Sequence, residues 1–218
     1  MLASLKKKET YKNYIKSFRF AFYCLTHPLD GYWDLTHEKR GSIAVANTIL
    51  ILTLITRIAT LRYTSFLFLK VYWPDINIFL YCATIVFPLA LWCLGNWGLT
   101  TLFDGKARLK QIYMATCYAM LPYPLVNLPL ILVSNMVTAE EGSFYSVLVA
   151  ISLAWAAVWI IAAMMQIHEY TISKTIFFTV ATIFAMLVLV FLLLLFFSMF
   201  SSGVAYFISL GKEIMFRN

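Results

Sequence analysis

Five long apolar stretches, separated by short polar segments, dominate the pattern of this chain. They run approximately over Ser42–Tyr63, Ile76–Leu99, Ile112–Ser134, Phe144–Met165 and Thr175–Phe200. A helix needs about 20 residues to cross a hydrocarbon core of about 30 Å, and each stretch is long enough. The pattern therefore predicts an all-α, polytopic membrane protein with five transmembrane helices, called spans one to five below.

The segment before span one has a different pattern. Between Tyr11 and Leu25, apolar side chains recur at helical spacing, while Lys12, Lys16 and Arg19 follow the opposite side. This predicts an amphipathic helix that either lies in the membrane interface or packs on the ends of the bundle. We therefore expect a basic arm over residues 1–41 and a membrane domain over 42–218. Ser201-Ser202-Gly203 is expected to break span five and leave a short outer C-terminal segment, which forms either an outer interfacial helix or a bent extension of span five.

Composition agrees with a membrane protein, and the distribution of charge predicts its orientation. Hydrophobic residues make up 62% of the chain and charged residues 12%, whereas soluble domains have about 45–50% and about 25%. If the N-terminus is cytoplasmic, twelve of the 17 lysines and arginines lie on the inner side and four on the outer side. The asymmetry predicts a multi-pass cell-membrane protein whose N-terminus is inside and whose C-terminus is outside. The net charge of +7 then indicates contact with anionic lipids rather than with nucleic acid.

Span three contains an unusual group of helix-disrupting residues. Pro122, Pro124 and Pro129 surround Asn127 in the middle of the apolar stretch. Each proline removes a backbone donor and crowds the preceding turn, so the helix should kink or open. One interpretation is a kinked packing helix in which Asn127 bonds to a neighbour. The other is a broken helix that lines a transport path.

Spans two and one contribute further candidates. Asn96-Trp97 lies between two glycines near the inner end of span two, and we expect Asn96 to pack against span three near Asn127. Arg57 is the one ionisable residue well inside a span. It either extends to the outer surface, where Glu140 or Glu141 could pair with it, or has a functional role.

The sequence predicts no catalytic residue, no metal site and no cofactor. The four cysteines form no CxxC pair and are expected to be small buried hydrophobic residues. His168-Glu169 begins like the zinc-protease motif HExxH, but position 172 is isoleucine. Phosphate-binding loops and nucleophile elbows are also missing from the sequence.

Several short motifs together resemble those of the Yip family, the Rab- or Ypt-interacting membrane proteins, and most closely its bacterial branch. The motifs are His27-Pro28, Gly31, Gly41, Asn96-Trp97, Asp104-Gly105, Tyr118, Pro122, Ser134-Asn135, Glu140-Glu141 and His168-Glu169-Tyr170. The similarity extends from about Phe22 to the end of the chain. It implies an α-helical, non-enzymatic protein that acts through other membrane proteins or lipids. Some bacterial members are encoded beside sugar importers of the ATP-binding-cassette kind, which implies an accessory role.

Three functions follow as hypotheses. The first is a scaffold or accessory subunit of a larger membrane complex, such as a sugar importer, with transporter subunits as partners. The second is a transporter or channel component in which span three lines the path, and a more remote one is a membrane-traffic factor. For the first hypothesis, polar residues on the inner side are the candidate cytoplasmic interaction residues. They are His27, Asp30, Asp104, Lys106, Arg108, His168 and Glu169.

Overall fold

A computed structural model describes residues 2–68, 76–103 and 105–216, with side chains described from residue 12 onward except at positions 139, 210–211 and 214–215. Apart from one short 3-10 turn at Ala139–Glu141, the regular elements in these ranges are α-helices. They are α1 (Leu2–Thr26), α2 (Pro28–His37), α3 (Ile43–Tyr63), α4 (Ile78–Leu102), α5 (Leu109–Ala119), α6 (Pro122–Ser134), α7 (Gly142–His168) and α8 (Ile172–Phe216).

The structure confirms the five predicted spans. Helices α3, α4, α7 and α8 are spans one, two, four and five, and α5 with α6 forms span three. Successive spans run in opposite directions, since their connections are short. We call the end of the bundle beside α1 and α2 the arm end, and the opposite end, near Tyr63 and Ser134, the far end.

Span three lies at the centre of the bundle. Its two helices pack against α3 and α7, and α5 also contacts α4. In the most apolar part of span three 61% of the residues are buried, whereas the corresponding value for span five is 6%. Span three, which carries the proline group, is therefore the most buried of the five spans.

The predicted kink in span three is confirmed, and it has a local backbone cause. Helix α5 ends at Ala119 and α6 begins at Pro122. Pro122 has no N–H with which to reach the carbonyl of Tyr118, and that carbonyl accepts from Leu121 at 3.2 Å instead. Tyr123 likewise donates to the carbonyl of Met120 at 3.1 Å. The chain therefore makes a tighter turn between the two helices.

The arm is helical as predicted, but it presents a different face to the bundle from the one the periodicity suggests. Phe20, Ala21 and Cys24 are buried, whereas Ile15 and Phe22, which belong to the predicted apolar side, are exposed. Of the two alternatives, the packed helix is the one observed. The buried side is chosen by the shape of the bundle, because small side chains at 21 and 24 permit close approach.

Specific contacts fix α1 to three other helices, α7, α3 and α2. The indole Nε1 of Trp159 donates to the carbonyls of Cys24 and Leu25, at 3.3 and 3.2 Å, and so satisfies the last turn of α1. The hydroxyl of Tyr14 bonds to Thr48 of α3 at 2.7 Å. A Cβ atom at Gly31 would lie 2.8 Å from the Cα atom of Cys24, so only glycine permits this crossing of α1 and α2.

Of the two alternatives after span five, the structure shows the extension of the span, and the predicted break at Ser201-Ser202-Gly203 is wrong. Helix α8 continues without interruption through Ser201, Ser202 and Gly203 as far as Phe216. One glycine in a helix interior costs about 1 kcal/mol relative to alanine. That cost is small beside the backbone hydrogen bonds that a helix in an apolar environment would lose by unwinding.

Candidate functional site

At the arm end, a buried polar cluster joins spans two, four and five. The Nδ2 atom of Asn96 donates to the hydroxyl of Thr182 at 3.3 Å, and that hydroxyl donates to the carbonyl of Phe178 at 2.7 Å. The Oδ1 atom of Asn96 therefore faces His168, whose Nε2 atom lies 3.0 Å away. Since a carbonyl oxygen only accepts, Nε2 carries the proton.

The chain turns sharply just after this cluster. Glu169 caps α7 in the left-handed conformation, with φ of 55°. The ring of Tyr170 stacks on that of His168 with centroids 5.2 Å apart, and the ring of Phe178 stacks on Tyr170 at 5.0 Å. The loop after span two packs closely on the same cluster. A Cβ atom at Gly105 would lie 3.0 Å from Nδ1 of His168 and would clash with Cβ of Thr100, so the loop approaches this closely only with glycine.

Outside the buried cluster, the Glu169 carboxylate connects three separate segments of the chain. It accepts a hydrogen bond from Lys106, in the loop after span two, and lies 3.3 Å from Nε2 of His37, at the end of α2. The hydrogen bond from Lys106 is the main cause that lowers the pKa of this carboxyl. Glu169 thus holds the arm, the loop after span two and the end of span four together as one exposed polar surface.

A second group of ion pairs lies beside it. Arg40 contacts Asp34 at 2.7 Å and Glu38 at 3.1 Å, and its guanidinium lies 5.5 Å from the ring centroid of Phe20. Surface pairs of this kind contribute about 0–1 kcal/mol each, so their effect is to orient the segment more than to stabilise it. We call the exposed residues His37, Arg40, Lys106, Arg108 and Glu169 the arm-end surface.

Of the other predicted interaction residues, the structure exposes two and buries one. His27 and Asp30 are exposed on the arm, and the ring of His27 stacks on Tyr23 at 5.0 Å. His168 is buried in the polar cluster and is not available at the surface. Asp104 lies outside the described residues.

The basic side of α1 is exposed as predicted, at Lys12, Lys16 and Arg19. Lys16 and Arg19, together with Lys39 and Arg40, line a surface cleft of about 560 Å³. Lys39 has a φ of 53°, an uncommon conformation for a residue with a side chain. Several cations therefore converge where the arm meets the start of span one.

The predicted seam between Asn127 and Asn96 is wrong. The Nδ2 atom of Asn127 donates to Oγ of Ser152 in span four at 2.7 Å and to the carbonyl of Tyr123 at 2.9 Å. Pro122 and Pro124 are also buried in the helix packing, and Pro129 lies within α6. The kink turns α6 so that its amide faces α7, whereas Asn96 faces α7 and α8 at the other end.

Trp97 and Arg57 lie away from these clusters. Trp97 is exposed on the outer side of α4, so it packs against neither partner of Asn96. The Arg57 guanidinium lies over the ring of Tyr81, 4.6 Å from its centroid. No ion pair between Arg57 and Glu140 or Glu141 is seen in the described part of the chain; the Glu141 carboxylate accepts instead from the backbone of Thr138 at 3.3 Å.

Sequence reasoning missed three residues of these sites: Thr182, Ser152 and Trp159. Each lies in a helix that is apolar on nearly every side, so periodicity does not reveal which face is turned inward. A hydroxyl within an apolar span indicates a polar contact, but threonine and serine also bond commonly to their own helix. The sequence therefore contained the residue types without their partners.

Comparison with known proteins gives one match. The model of the Yip1 domain family matches residues 22–209. No curated protein and no solved structure matches the chain. The matched range begins in the arm helix and ends near the far end of span five, and so includes all five spans together with the arm-end surface.

Proposed function

The chain belongs to the Yip1 domain family, and on that premise we propose that it is a non-catalytic membrane protein that acts as a scaffold or accessory subunit of a larger complex. The observation that carries this proposal is the Glu169 network. One carboxylate joins the arm, the inner loop and the end of span four into the arm-end surface. Exposed charged groups on segments that are fixed relative to one another suit recognition of another protein.

As the larger complex we propose a sugar importer of the ATP-binding-cassette kind. The support is the resemblance to bacterial Yip proteins. In this role the arm-end surface contacts transporter subunits at the cytoplasmic face, with the N-terminus inside and the C-terminus outside. Lys12, Lys16 and Arg19 add attraction to anionic lipids, at about 1 kcal/mol for each cation near the membrane surface.

The alternative is a transporter or channel component in which span three lines a path. The burial of Pro122 and Pro124 and the bond between Asn127 and Ser152 support a packing role for this segment instead. A bent helix at the centre of a bundle lets its three neighbouring spans, α3, α4 and α7, approach it at different angles. We therefore favour the scaffold.

The test is a comparison of captured partners after cross-linking in native membranes. Tagged wild-type protein, Glu169→Gln and the control Glu213→Gln are purified in mild detergent, and the cross-linked proteins are identified. Glu213 is an exposed glutamate on α8, well away from the arm-end surface. We expect importer subunits with wild type and with Glu213→Gln, and several-fold less with Glu169→Gln.

Two results would count against the proposal. If the same proteins are captured in the same amounts by Glu169→Gln, the arm-end surface does not recognise them. If the captured proteins contain no importer subunit, the importer part of the proposal fails, while a different protein that is lost specifically in Glu169→Gln still supports a scaffold.

A further inference from the structure

All five spans contribute side chains to one cavity in the bundle. It has a volume of about 570 Å³ and extends from the middle of the bundle towards the far end. Sites for small ligands have volumes of about 300–1,000 Å³, so the space suits a ligand of that size. Most of the lining is aliphatic, for example Ile85, Leu89, Leu153, Ala157 and Met186.

The cavity also contains hydrogen-bond donors that have no acceptor. The Nε atom of Arg57 and the Nε1 atom of Trp92 are buried, and neither has a hydrogen-bond partner among the residues described. Both residues line the cavity. A buried donor without a partner is destabilising, and a charged one is more so.

The threonines in the lining do not supply the missing acceptor. Thr53, Thr84 and Thr116 each donate their hydroxyl to a carbonyl of their own helix, at 2.7–2.9 Å. Their oxygens keep lone pairs that could accept a hydrogen bond, but neither Nε of Arg57 nor Nε1 of Trp92 bonds to them. Among the described residues, the buried side-chain atoms of this lining that lack a partner are therefore both donors.

The charges around Arg57 also indicate that the cavity lacks an acceptor. The apolar parts of the five spans, which end at Ser209 in span five, contain no aspartate or glutamate. Arg57 lies six residues before the end of α3, at a depth of about 9 Å for a rise of 1.5 Å per residue. The contact with Tyr81 stabilises the cation on one side of the guanidinium but supplies no counter-charge. An anion is therefore the group that the site lacks, and a guanidinium binds a carboxylate or a phosphate through two parallel hydrogen bonds.

We propose that this cavity binds an anionic amphiphile with a single acyl chain, whose carboxylate or phosphate pairs with Arg57 and whose chain occupies the aliphatic part beside Trp92. Two features define this class of ligand. The donors without acceptors require an anionic head, and the aliphatic lining requires an apolar body. The cavity shares no residue with the arm-end surface, so a negative result for this ligand would not count against the scaffold role.

The experiment uses the full chain in nanodiscs of phosphatidylcholine and a photoactivatable oleate as probe. Labelled peptides are mapped by mass spectrometry. We expect labelling of the peptides that contain Ile85–Trp92 and Leu153–Ile160. Unlabelled oleate and oleoyl lysophosphatidate should both compete. Monoolein, which has the same chain without the charge, should compete at least about tenfold less well, which corresponds to a loss of about 1.4 kcal/mol in binding free energy.

Paired variants separate charge from volume. Arg57→Gln should reduce the labelling about tenfold or more, since it removes one member of a buried charge pair, and Arg57→Lys should give an intermediate value. Arg62→Gln, on the exposed end of the same helix, is the charge control and should leave labelling unchanged. Ala157→Phe, at a position that lines the cavity, should fill it and block labelling, whereas Val158→Phe, at the next position and outside the lining, should not.

Three outcomes overturn the proposal. Monoolein that competes as well as oleate would show that the charge is irrelevant. Inorganic phosphate that competes as well as lysophosphatidate would show a small-anion site. Labelling that persists in Ala157→Phe would place the probe outside the cavity. If Arg57→Gln fails to fold, as judged by circular dichroism and gel filtration, Arg57→Lys and Ala157→Phe decide the question.

Discussion

The Nε2 atom of His168 lies 3.0 Å from the Oδ1 atom of Asn96, and this bond ties the last residue of span four to span two. The same amide reaches Thr182 of span five. One asparagine therefore holds three spans in register at the arm end. The loop that carries Lys106 and the corner at Glu169 both rest on this cluster.

Loss of the Asn96 amide should destabilise the bundle. Asn96→Leu leaves His168 and Thr182 without their partner, which costs about 1–3 kcal/mol. Thr182→Val should cost about 0.6 kcal/mol, the average for a hydrogen bond between membrane helices. Unfolding in mixed micelles, followed by circular dichroism, measures both. Thr101→Val is the control, because its exposed hydroxyl bonds only to its own helix, and a cost equal to that of Thr182→Val would contradict the bond between spans.

The packing of α6 against span four predicts a specific cross-link. In a background without the native cysteines, Asn127→Cys with Ser152→Cys should form a disulfide or react with a short bifunctional reagent. The reason is that the wild-type side chains are in contact at 2.7 Å. Asn127→Cys with Asn96→Cys should not react, since these residues lie in different clusters. The reverse pattern on gel electrophoresis would restore the seam expected from the sequence.

Release of the arm should expose Cys24. Burial raises the pKa of this thiol to about 12, so in a variant with Cys24 alone, alkylation should be slow. Trp159→Phe removes the donor to the last carbonyls of α1, worth about 1 kcal/mol, and should accelerate labelling about fivefold. Trp155→Phe is a matched control, because the Nε1 atom of Trp155 has no hydrogen-bond partner among the described residues. Equal rates in the two variants would show that the indole bond does not hold the arm.

Acid should weaken the arm-end surface through Glu169. The pKa of this carboxyl is lowered by Lys106, so the interaction is fully present above the ordinary value of 4.5 and is lost as pH falls through the lowered pKa. The thermal midpoint of Glu169→Gln should therefore lie below that of wild type at pH 7, and the gap should close in acid. Glu213→Gln should match wild type throughout. A gap that widens in acid would show that the carboxylate is not the stabilising form.

The proposed orientation can be measured by cysteine accessibility in intact cells. Arg108 at the arm end and Ser143 at the far end are both exposed. With a cytoplasmic arm, Ser143→Cys should react with a membrane-impermeant maleimide from outside, and Arg108→Cys only after permeabilisation. The background lacks the native cysteines. The opposite result would invert the topology that the charge asymmetry predicts.

The sequence predicted which helices form better than it predicted which face of each helix is buried, and the reason is physical. The lengths of spans one to four follow from the thickness of the hydrocarbon, and the kink follows from the missing N–H of Pro122. The partners of Asn96 and Asn127 depend on how each helix is rotated about its axis. In spans that are apolar on every side, no polar stripe sets that rotation. The arm shows the same limit, since its buried face follows the small residues Ala21 and Cys24 and not the largest side chains.

The length of span five determines which bilayer thickness accommodates this protein best. Its apolar part covers 38 residues, or about 57 Å at 1.5 Å per residue. Even a tilt of 40°, the upper end of the usual range, leaves about 44 Å across a hydrocarbon core of about 30 Å. The apolar part of this helix is therefore longer than the hydrocarbon core is thick, which is a hydrophobic mismatch. The thickness of the surrounding bilayer decides how many residues before Ser209 emerge into the headgroups, and thicker membranes will hold the protein more favourably than thin ones.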